Sequence, residues 1–311
     1  MVERAGALPL AGVSVRRPLG SLAGLAVLGA CALEVLGCGS HSHHAAAGAG
    51  KPASHPVSTP KPIGADIPIG CGPAHRLYTE TGDTPDKVVA LTFDDGPSGY
   101  THYVLDILER EQVHATFFLI GNQVRDYPGQ VRRELRDGNL IGNHTYTHPD
   151  MLQVSFGHAF KELQGAQQAI WEATGFIPCF WRAPYGSIND ALKYLARSFG
   201  MDSIQWDTDP QDFTEPSAAE IYHRVLYGNP KDPDPGVHPG AIVLMHDGGG
   251  NRSHTVEALP RIIDALRARG YRFLTIPELL HMKLAYAHEA PARRPASAAP
   301  PAPARGIHPG A

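Results

Sequence analysis

One α/β domain, a distorted (β/α) barrel of about seven strand–helix units, is the fold this sequence predicts. Three observations predict it. Short β-branched apolar runs alternate with stretches of helical spacing from about residue 85 to residue 282, the pattern of a parallel sheet or barrel rather than of separate α and β layers. About seven such units follow one another without a linker-like break, which favours closure into a barrel over an open sheet. Acidic residues and histidines recur just after the strands, at the rim where the loops of such a barrel gather its chemistry. The alternative, a doubly wound open sheet, is disfavoured because no glycine-rich phosphate loop follows the first strand.

The elements follow in order. Lys87–Phe93 is a strand by its β-branched apolar run, and Tyr103–Glu111 has helical spacing. His114–Ile120 is a second strand, followed by a helix through Val131–Arg136. Leu140–Asn143 is a third strand and Phe156–Thr174 a long amphipathic helix. Strands at Cys179–Arg182, Ser203–Trp206, Ala241–Met245 and Tyr271–Thr275 complete the set, each too short for a helix. The helices between them span Asp190–Ser198, Ala218–Leu226 and Val256–Arg269. The Pro-rich Asn229–Gly240 segment is a loop. The span 85–282 is therefore the expected catalytic barrel.

The flanks differ in kind. Residues 1–31 carry a basic region ending at Arg16-Arg17, then an uncharged and mostly apolar run from Pro18 to Leu33. That run is short for a spanning helix, which needs about 20 residues, and suits the core of a signal peptide. Leu28-Gly29-Ala30-Cys31 resembles a lipoprotein cleavage box, and Val35-Leu36-Gly37-Cys38 is a poorer match because Glu34 intrudes. Lipidation of Cys31 with membrane attachment, and plain secretion, both remain open, and Arg16-Arg17 only imperfectly fits twin-arginine export. Residues 32–84 read as a flexible linker and lead-in, rich in Gly, Ala, Ser, Pro and His up to about Gly70, and residues 283–311 as a Pro/Ala-rich disordered tail. His41, His43 and His44 within the linker are weighed as binders of stray metal, against the favoured reading of a solvated segment.

Composition excludes several classes. With 27 Lys+Arg against 31 Asp+Glu the net charge is −4 over 311 residues, so the basic excess of a nucleic-acid binder is missing. Four Cys are too few for a disulfide framework of this size. In an exported protein Cys71 and Cys179 could pair and pin the segment before the first strand to the barrel, but spacing alone leaves this open.

The strand ends carry the chemistry. The first ends in Thr92-Phe93-Asp94-Asp95-Gly96-Pro97. Neighbours on a regular strand point to opposite faces, so the Gly-Pro break is expected to bend both carboxylates into one pocket. The third ends in Asn143-His144-Thr145-Tyr146-Thr147-His148-Pro149, where a helical turn would put the two imidazoles on one face. Two imidazoles and a carboxylate make a three-ligand site for zinc or a similar divalent ion, with positions left for water. The fourth ends in Arg182-Ala183-Pro184-Tyr185-Gly186, a cation to neutralise a buried acid and a turn able to aim backbone N–H groups at an oxyanion. The fifth gives Trp206-Asp207-Thr208-Asp209-Pro210-Gln211-Asp212-Phe213 and the sixth Leu244-Met245-His246-Asp247, a histidine and carboxylates suited to general acid catalysis.

In this order these stretches resemble the five motifs of the polysaccharide deacetylase family, carbohydrate esterase family 4, also called the NodB-homology domain, over about 200 of the 311 residues. The resemblance implies a distorted barrel that removes acetyl groups from acetylated sugars with one divalent metal, zinc first, with Co, Ni, Mn or Fe admissible. Carried across by motif, it makes Asp94 the catalytic base, Asp95, His144 and His148 the metal ligands, and Arg182 the residue that tunes the base. It makes the backbone N–H of Tyr185 an oxyanion donor, His246 the acid and Asp212 the carboxylate that orients it. Leu244, Pro184 and Phe213 would contact substrate. Phe213 departs from the family's usual Trp, keeping an aromatic wall and losing the indole donor.

The expected activity is hydrolysis of N-acetyl groups on peptidoglycan or chitin-type oligomers, by a monomer exported to the outer face of the membrane or the cell wall. An acetyl-xylan O-esterase and a catalytically silent glycan-binding protein are the alternatives. A metal phosphoesterase is disfavoured because no basic phosphate clamp stands in the sequence. Trp181, Trp206, Tyr146 and Tyr185 are weighed as stacking faces for sugar rings against core packing, and His254 as a rim residue against a plain loop position.

Overall fold

The computed structural model describes residues 66–74, 76–229 and 235–287. The signal segment with Cys31 and Cys38, the linker histidines and residues 288–311 of the tail lie outside the described residues.

Three short elements lie beyond the expected span 85–282. β1 (Pro68–Cys71) pairs antiparallel with β10 (Leu284–Tyr286), and β2 (Tyr78–Thr79) adds an edge strand to the main sheet. The folded domain therefore takes in part of what composition assigned to linker and tail. Strands of two to four residues show no periodicity to read, and β1 is held by tertiary means. Ile177 N–H donates to the Ile69 carbonyl at 2.9 Å. Cys71 and Cys179 are bridged, with Cα atoms 5.7 Å apart.

The remaining elements alternate as expected. β3 (Val88–Gly96) leads to α1 (Thr101–Glu111), β4 (Thr116–Leu119), the short α2 (Gly121–Asp126), α3 (Pro128–Arg136) and β5 (Leu140–Asn143). Next come α4 (Phe156–Thr174), β6 (Phe180–Trp181), α5 (Asp190–Ser198), β7 (Asp202–Ile204) and α6 (Ala218–Tyr227). β8 (Ala241–His246), α7 (Ser253–Ala268), β9 (Arg272–Phe273) and α8 (Ile276–Leu279) finish the domain before β10. The helix ends follow local chemistry. The Ser155 hydroxyl accepts the His158 N–H at the start of α4, which stops at Gly175 with φ 78°. Ser217 and Glu220 form a reciprocal capping box on α6.

Strand order is β2-β7-β6-β5-β4-β3-β8, with β9 also pairing β3, and every pair in this sheet is parallel. One isolated parallel bridge, Thr208 to Val243, joins the segment after β7 to the other edge strand, β8. The barrel is accordingly distorted, a sheet curled round without a continuous ladder at the seam. β3 is central, and eight of its nine residues are buried, as befits a parallel strand covered on both faces. The main core joins β3, β4 and β8 to α1, α6 and α7, and a second cluster around Trp181 packs α4 against α5. Because the strands are parallel, β3, β5, β6 and β8 deliver their C-terminal ends to one rim.

Candidate active site

Asp94 and Asp95 reach the same cavity by a bulge rather than by the Gly-Pro break. Asp94 stays in register with Phe118 and His246, the ladder resumes at Gly96 with Leu119, and Asp95, φ 69°, is the extra residue. A bulged residue lets two neighbours face one side, which a regular strand forbids. The loop after β8 lies against it. A Cβ placed on Gly249 (φ 72°) would come within 2.4 Å of Asp95 Oδ2, and one on Gly248 within 1.9 Å of the Asp95 carbonyl.

The histidine pair is also assembled differently from expectation. No helical turn forms at 144–148. Thr145 and His148 instead take left-handed φ of 68° and 61°, and these kinks bring the two rings to 4.9 Å between centroids. His144 Nε2 lies 3.5 Å and His148 Nε2 3.0 Å from Asp95 Oδ1. His144 Nδ1 is 2.9 Å from the Arg182 carbonyl. A carbonyl only accepts, so Nδ1 carries the proton, and Nε2 is the atom turned inward as a potential ligand.

These atoms fit a divalent metal. The ligand atoms of Asp95, His144 and His148 lie within 4.8 Å of one another. Asp95 Oδ1 is buried without a hydrogen-bond partner, a costly state unless a cation completes it. Burial alone would raise the Asp95 carboxyl, but His144 and His148 beside it outweigh burial and hold it well below the usual carboxylate range. One carboxylate and two imidazoles form the donor set of hydrolytic zinc.

Two ion pairs flank this cluster. The Arg182 guanidinium, fully buried, donates from Nη1 to Asp94 Oδ1 at 2.7 Å and to Thr92 Oγ1 at 2.8 Å. Its Nη2 donates to the Gln205 carbonyl at 3.0 Å, and its plane lies 4.0 Å from the Phe118 ring centre. On the other side His246 Nδ1 is 2.6 Å from Asp212 Oδ1, while Asp212 Oδ2 accepts the His246 N–H at 2.9 Å and the Thr255 hydroxyl at 2.7 Å. Burial works to lower the His246 imidazole, but Asp212, with smaller help from Asp94 and Asp95, pushes it up to about 9. Burial would raise Asp212, and His246 holds it below its ordinary value.

Pro184–Gly186 forms a single 3₁₀ turn with Tyr185 at φ 59°. Among the described residues no carbonyl takes the Tyr185 N–H. The Tyr185 ring is 70% exposed and meets the edge of His148 at 4.8 Å. Phe213 meets His246 edge-on at 5.7 Å. The cavity, about 650 Å³, is lined by Asp94, Asp95, His144, His148, Tyr185, Trp206, Phe213, Leu244 and His246. Pro184 is not in the lining. It is buried beneath the turn whose ends, Ala183 and Tyr185, face the cavity.

Of the four aromatic candidates, Trp206 and Tyr185 border the cavity. Trp181 is core, its Nε1 donating to Ser203 Oγ at 2.8 Å. Tyr146 packs against Gly121 and Gly165 of α2 and α4. His254 belongs to α7 and its Nδ1 contacts the Pro216 carbonyl at 2.9 Å, away from the lining.

The residue-by-residue reading did not name Asn122, Gln123 and Arg252 of the lining, nor Thr92 as a partner of Arg182. Asn122 and Gln123 follow β4, so the strand-end rule could have found them. Arg252 is 3% exposed and donates to the carbonyls of Gly248 at 2.6 Å and Gly249 at 3.1 Å, tying down the loop against Asp95. Asp247, fully buried beside Gly96 and bonded by the Thr101 hydroxyl, was noted only as part of its motif. Burial pushes its carboxyl up to about 7.

Comparisons with known proteins identify the family to which this fold belongs. Residues 81–204 match the polysaccharide deacetylase family model. The peptidoglycan-N-acetylglucosamine deacetylase PgdA of Listeria monocytogenes is 38% identical over 200 residues, 64% of this chain and 40% of that protein. The chain thus spans about two-fifths of the length of that longer relative. A chitooligosaccharide deacetylase of Bradyrhizobium sp. is 36% identical over 217 residues, 66% of this chain and 94% of the relative. A crystal structure of a peptidoglycan N-acetylglucosamine deacetylase superposes with a TM-score of 0.62 at 33% identity, covering 66% of this chain and 94% of that one.

Proposed function

The chain belongs to the polysaccharide deacetylase family, and from that premise we propose that it is a metal-dependent hydrolase removing acetyl groups from N-acetylated glycan, peptidoglycan or chitin-type oligomers. The observation that carries this reading is the Asp95–His144–His148 cluster standing between the Asp94–Arg182 pair and the His246–Asp212 pair in one cavity.

The division of labour follows from the partners. A divalent ion, zinc first, held by Asp95, His144 and His148 would polarise the acetyl carbonyl and make the attacking water more acidic. Asp94 accepts the proton of that water. Arg182 pairs with Asp94 and fixes its Oδ1, leaving Oδ2, 3.6 Å from His144 Nε2, turned towards the metal cluster. The Tyr185 N–H is placed to donate to the developing oxyanion, an interaction commonly worth about 3 kcal/mol. Asp212 holds His246 Nδ1, so the transferable proton sits on Nε2 and passes to the leaving amine. An amide needs that proton far more than an ester does, and a histidine charged up to about pH 9 supplies it at neutral pH. Leu244 and Phe213 shape the cavity for the acetyl methyl and sugar.

The uncharged Pro18–Leu33 run supports export to the cell surface or wall, with Cys31 as the candidate lipid attachment site. The test is acetate release by the full chain from N-acetylglucosamine oligomers, peptidoglycan and acetylated xylan, with zinc and with chelator. Chelator-sensitive release from the first two is expected. Release from xylan alone would move the assignment to an O-esterase, and release from none, with metal bound, to a glycan-binding role.

A further inference from the structure

We propose that Glu162, in the middle of α4, is a positioning residue for the metal centre, acting through the backbone that carries His148. This inference rests on the metal-dependent reading above and goes beyond its ligand set. Glu162 is 4% exposed, yet its carboxylate points at the ligand loop rather than at a cation in the core. Its Oε2 accepts the backbone N–H groups of Tyr146 at 2.8 Å and Thr147 at 2.7 Å, and its Oε1 accepts the Thr147 hydroxyl at 2.8 Å. From the solvent side His158 Nε2 comes to 3.3 Å of Oε1.

The two metal-binding imidazoles differ in what fixes them. His144 directly follows β5. Its N–H donates to the Leu119 carbonyl at 2.9 Å, and its Nδ1 is locked by the Arg182 carbonyl. His148 lies beyond the left-handed Thr145 and is itself left-handed, and among the described residues its Nδ1 has no hydrogen-bond acceptor. Its N–H reaches Thr145 Oγ1 at 3.1 Å and its ring rests against Tyr185. Metal-bound histidines are normally oriented by an acceptor on the second nitrogen. His148 lacks one, so its direction is inherited from its backbone. That backbone is a non-helical loop whose consecutive N–H groups would otherwise go without partners, and one carboxylate gathers them. Tyr146, wedged against Gly121 and Gly165, seats the same loop from the other side.

Glu162→Gln keeps the shape but loses the charge that strengthens the bonds to the two N–H groups, and where Oε1 accepts the Thr147 hydroxyl it puts an NH2 donor. The expected result, on the full chain, is a zinc affinity weaker by roughly 10–100-fold, the loss seen for outer partners of metal ligands. The measurement is competition with a chromophoric chelator. The Co²⁺ form should lose visible-band intensity as an imidazole detaches. Thr147→Val, which removes one of the three bonds, should weaken zinc by a smaller factor and covers the case in which Glu162→Gln does not fold. In a His148→Ala background Glu162→Gln should cost little further affinity, because the residue acts through His148. Zinc affinity and the Co²⁺ band unchanged in Glu162→Gln and Thr147→Val, with wild-type binding intact, would overturn the inference alone. So would full additivity with His148→Ala. A wild-type chain that binds no zinc would overturn the metal-dependent reading and this inference together.

Discussion

Replacing Asp212 by Asn tests the acid side of the site most directly. Asp212 is buried, and its carboxylate takes three hydrogen bonds, two of them from His246. It is the main group opposing burial in holding His246 at about 9, against an ordinary value of 6.5. At about 1.4 kcal/mol for each tenfold, that gap corresponds to roughly 3 kcal/mol of preference for the charged ring. Asn removes the charge and cannot satisfy all three donors, so burial then acts almost unopposed and the imidazole drops to 6.5 or below. At pH 8 an acid with a pKa of 9 is about 90% protonated and one with a pKa of 6.5 about 3%, a loss of roughly 30-fold in the active form.

The assay is kcat/KM for acetate release between pH 5.5 and 10 with metal bound. Metal will neutralise the smaller contributions of Asp94 and Asp95, so the wild-type alkaline limb should lie at or somewhat below 9. In Asp212→Asn it should move down by about two pH or more, with a much smaller loss near pH 6. Stability should follow the same sign. A raised histidine stabilises the fold fully below pH 6.5 and loses that contribution as pH rises through about 9. The variant should therefore lose its stability deficit relative to wild type at high pH. An alkaline limb in Asp212→Asn at the same pH as in wild type would refute the assignment of His246 as the acid tuned by Asp212.

Asp94→Asn should lower kcat by about 10²–10⁴, the usual contribution of a general base, while zinc affinity by chelator competition stays within a few-fold. It should also lower the melting temperature, because breaking a buried charge pair with Arg182 typically costs about 3–5 kcal/mol. Dialysis against chelator should abolish acetate release, and zinc or cobalt should restore it, monitored as initial rate against added metal. Cys179→Ser opens a bridge spanning 108 residues, worth about 4–5 kcal/mol by loop entropy, or roughly 10 °C in melting temperature. Activity at room temperature should persist, since the bridge lies at the opposite end of the strands from the cavity.

The parts of this molecule legible in its sequence are those decided by local pattern. α4 and α5 begin and end at the expected residues because spacing, the caps Ser155 and Asn189 and the terminal Gly175 act within a few positions. The alignment of Asp94, His144, Arg182 and His246 along one rim was legible through a topological rule, that parallel strands deliver their ends together. What escaped depends on the third dimension. The strands β1, β2 and β10 exist only because partners distant in sequence pair with them. The bulge at Asp95 and the kinks at Thr145 and His148 are left-handed conformations of non-glycine residues, which residue type does not announce. Glu162 reads as an ordinary helix position until the ligand loop folds over it.

Charge pairing distinguishes three carboxylates of the site, Asp94, Asp95 and Asp212, and it sets apart the variant Asp95→Asn. Asp94 is neutralised by Arg182, and Asp212 by the protonated His246. Asp95 has no Arg or Lys partner, only His144 and His148, whose Nε2 atoms must be free of a proton to serve as ligands. Of these three, Asp95 is the one without a fixed counter-charge, and it is the one that awaits a cation. Removing the charge from Asp94 or Asp212 strands a buried partner, whereas removing it from Asp95 takes away only the interaction with His144 and His148. The metal-free Asp95→Asn protein should therefore lose less melting temperature than metal-free Asp94→Asn does. Added zinc should raise the wild-type melting temperature, by about 4 kcal/mol of binding linkage at 1,000 times Kd, and leave the variant unmoved. Melting curves of both proteins with chelator and with zinc decide it. A metal-free Asp95→Asn protein destabilised as much as Asp94→Asn would mean that Asp95 is a structural partner of its histidines rather than a ligand.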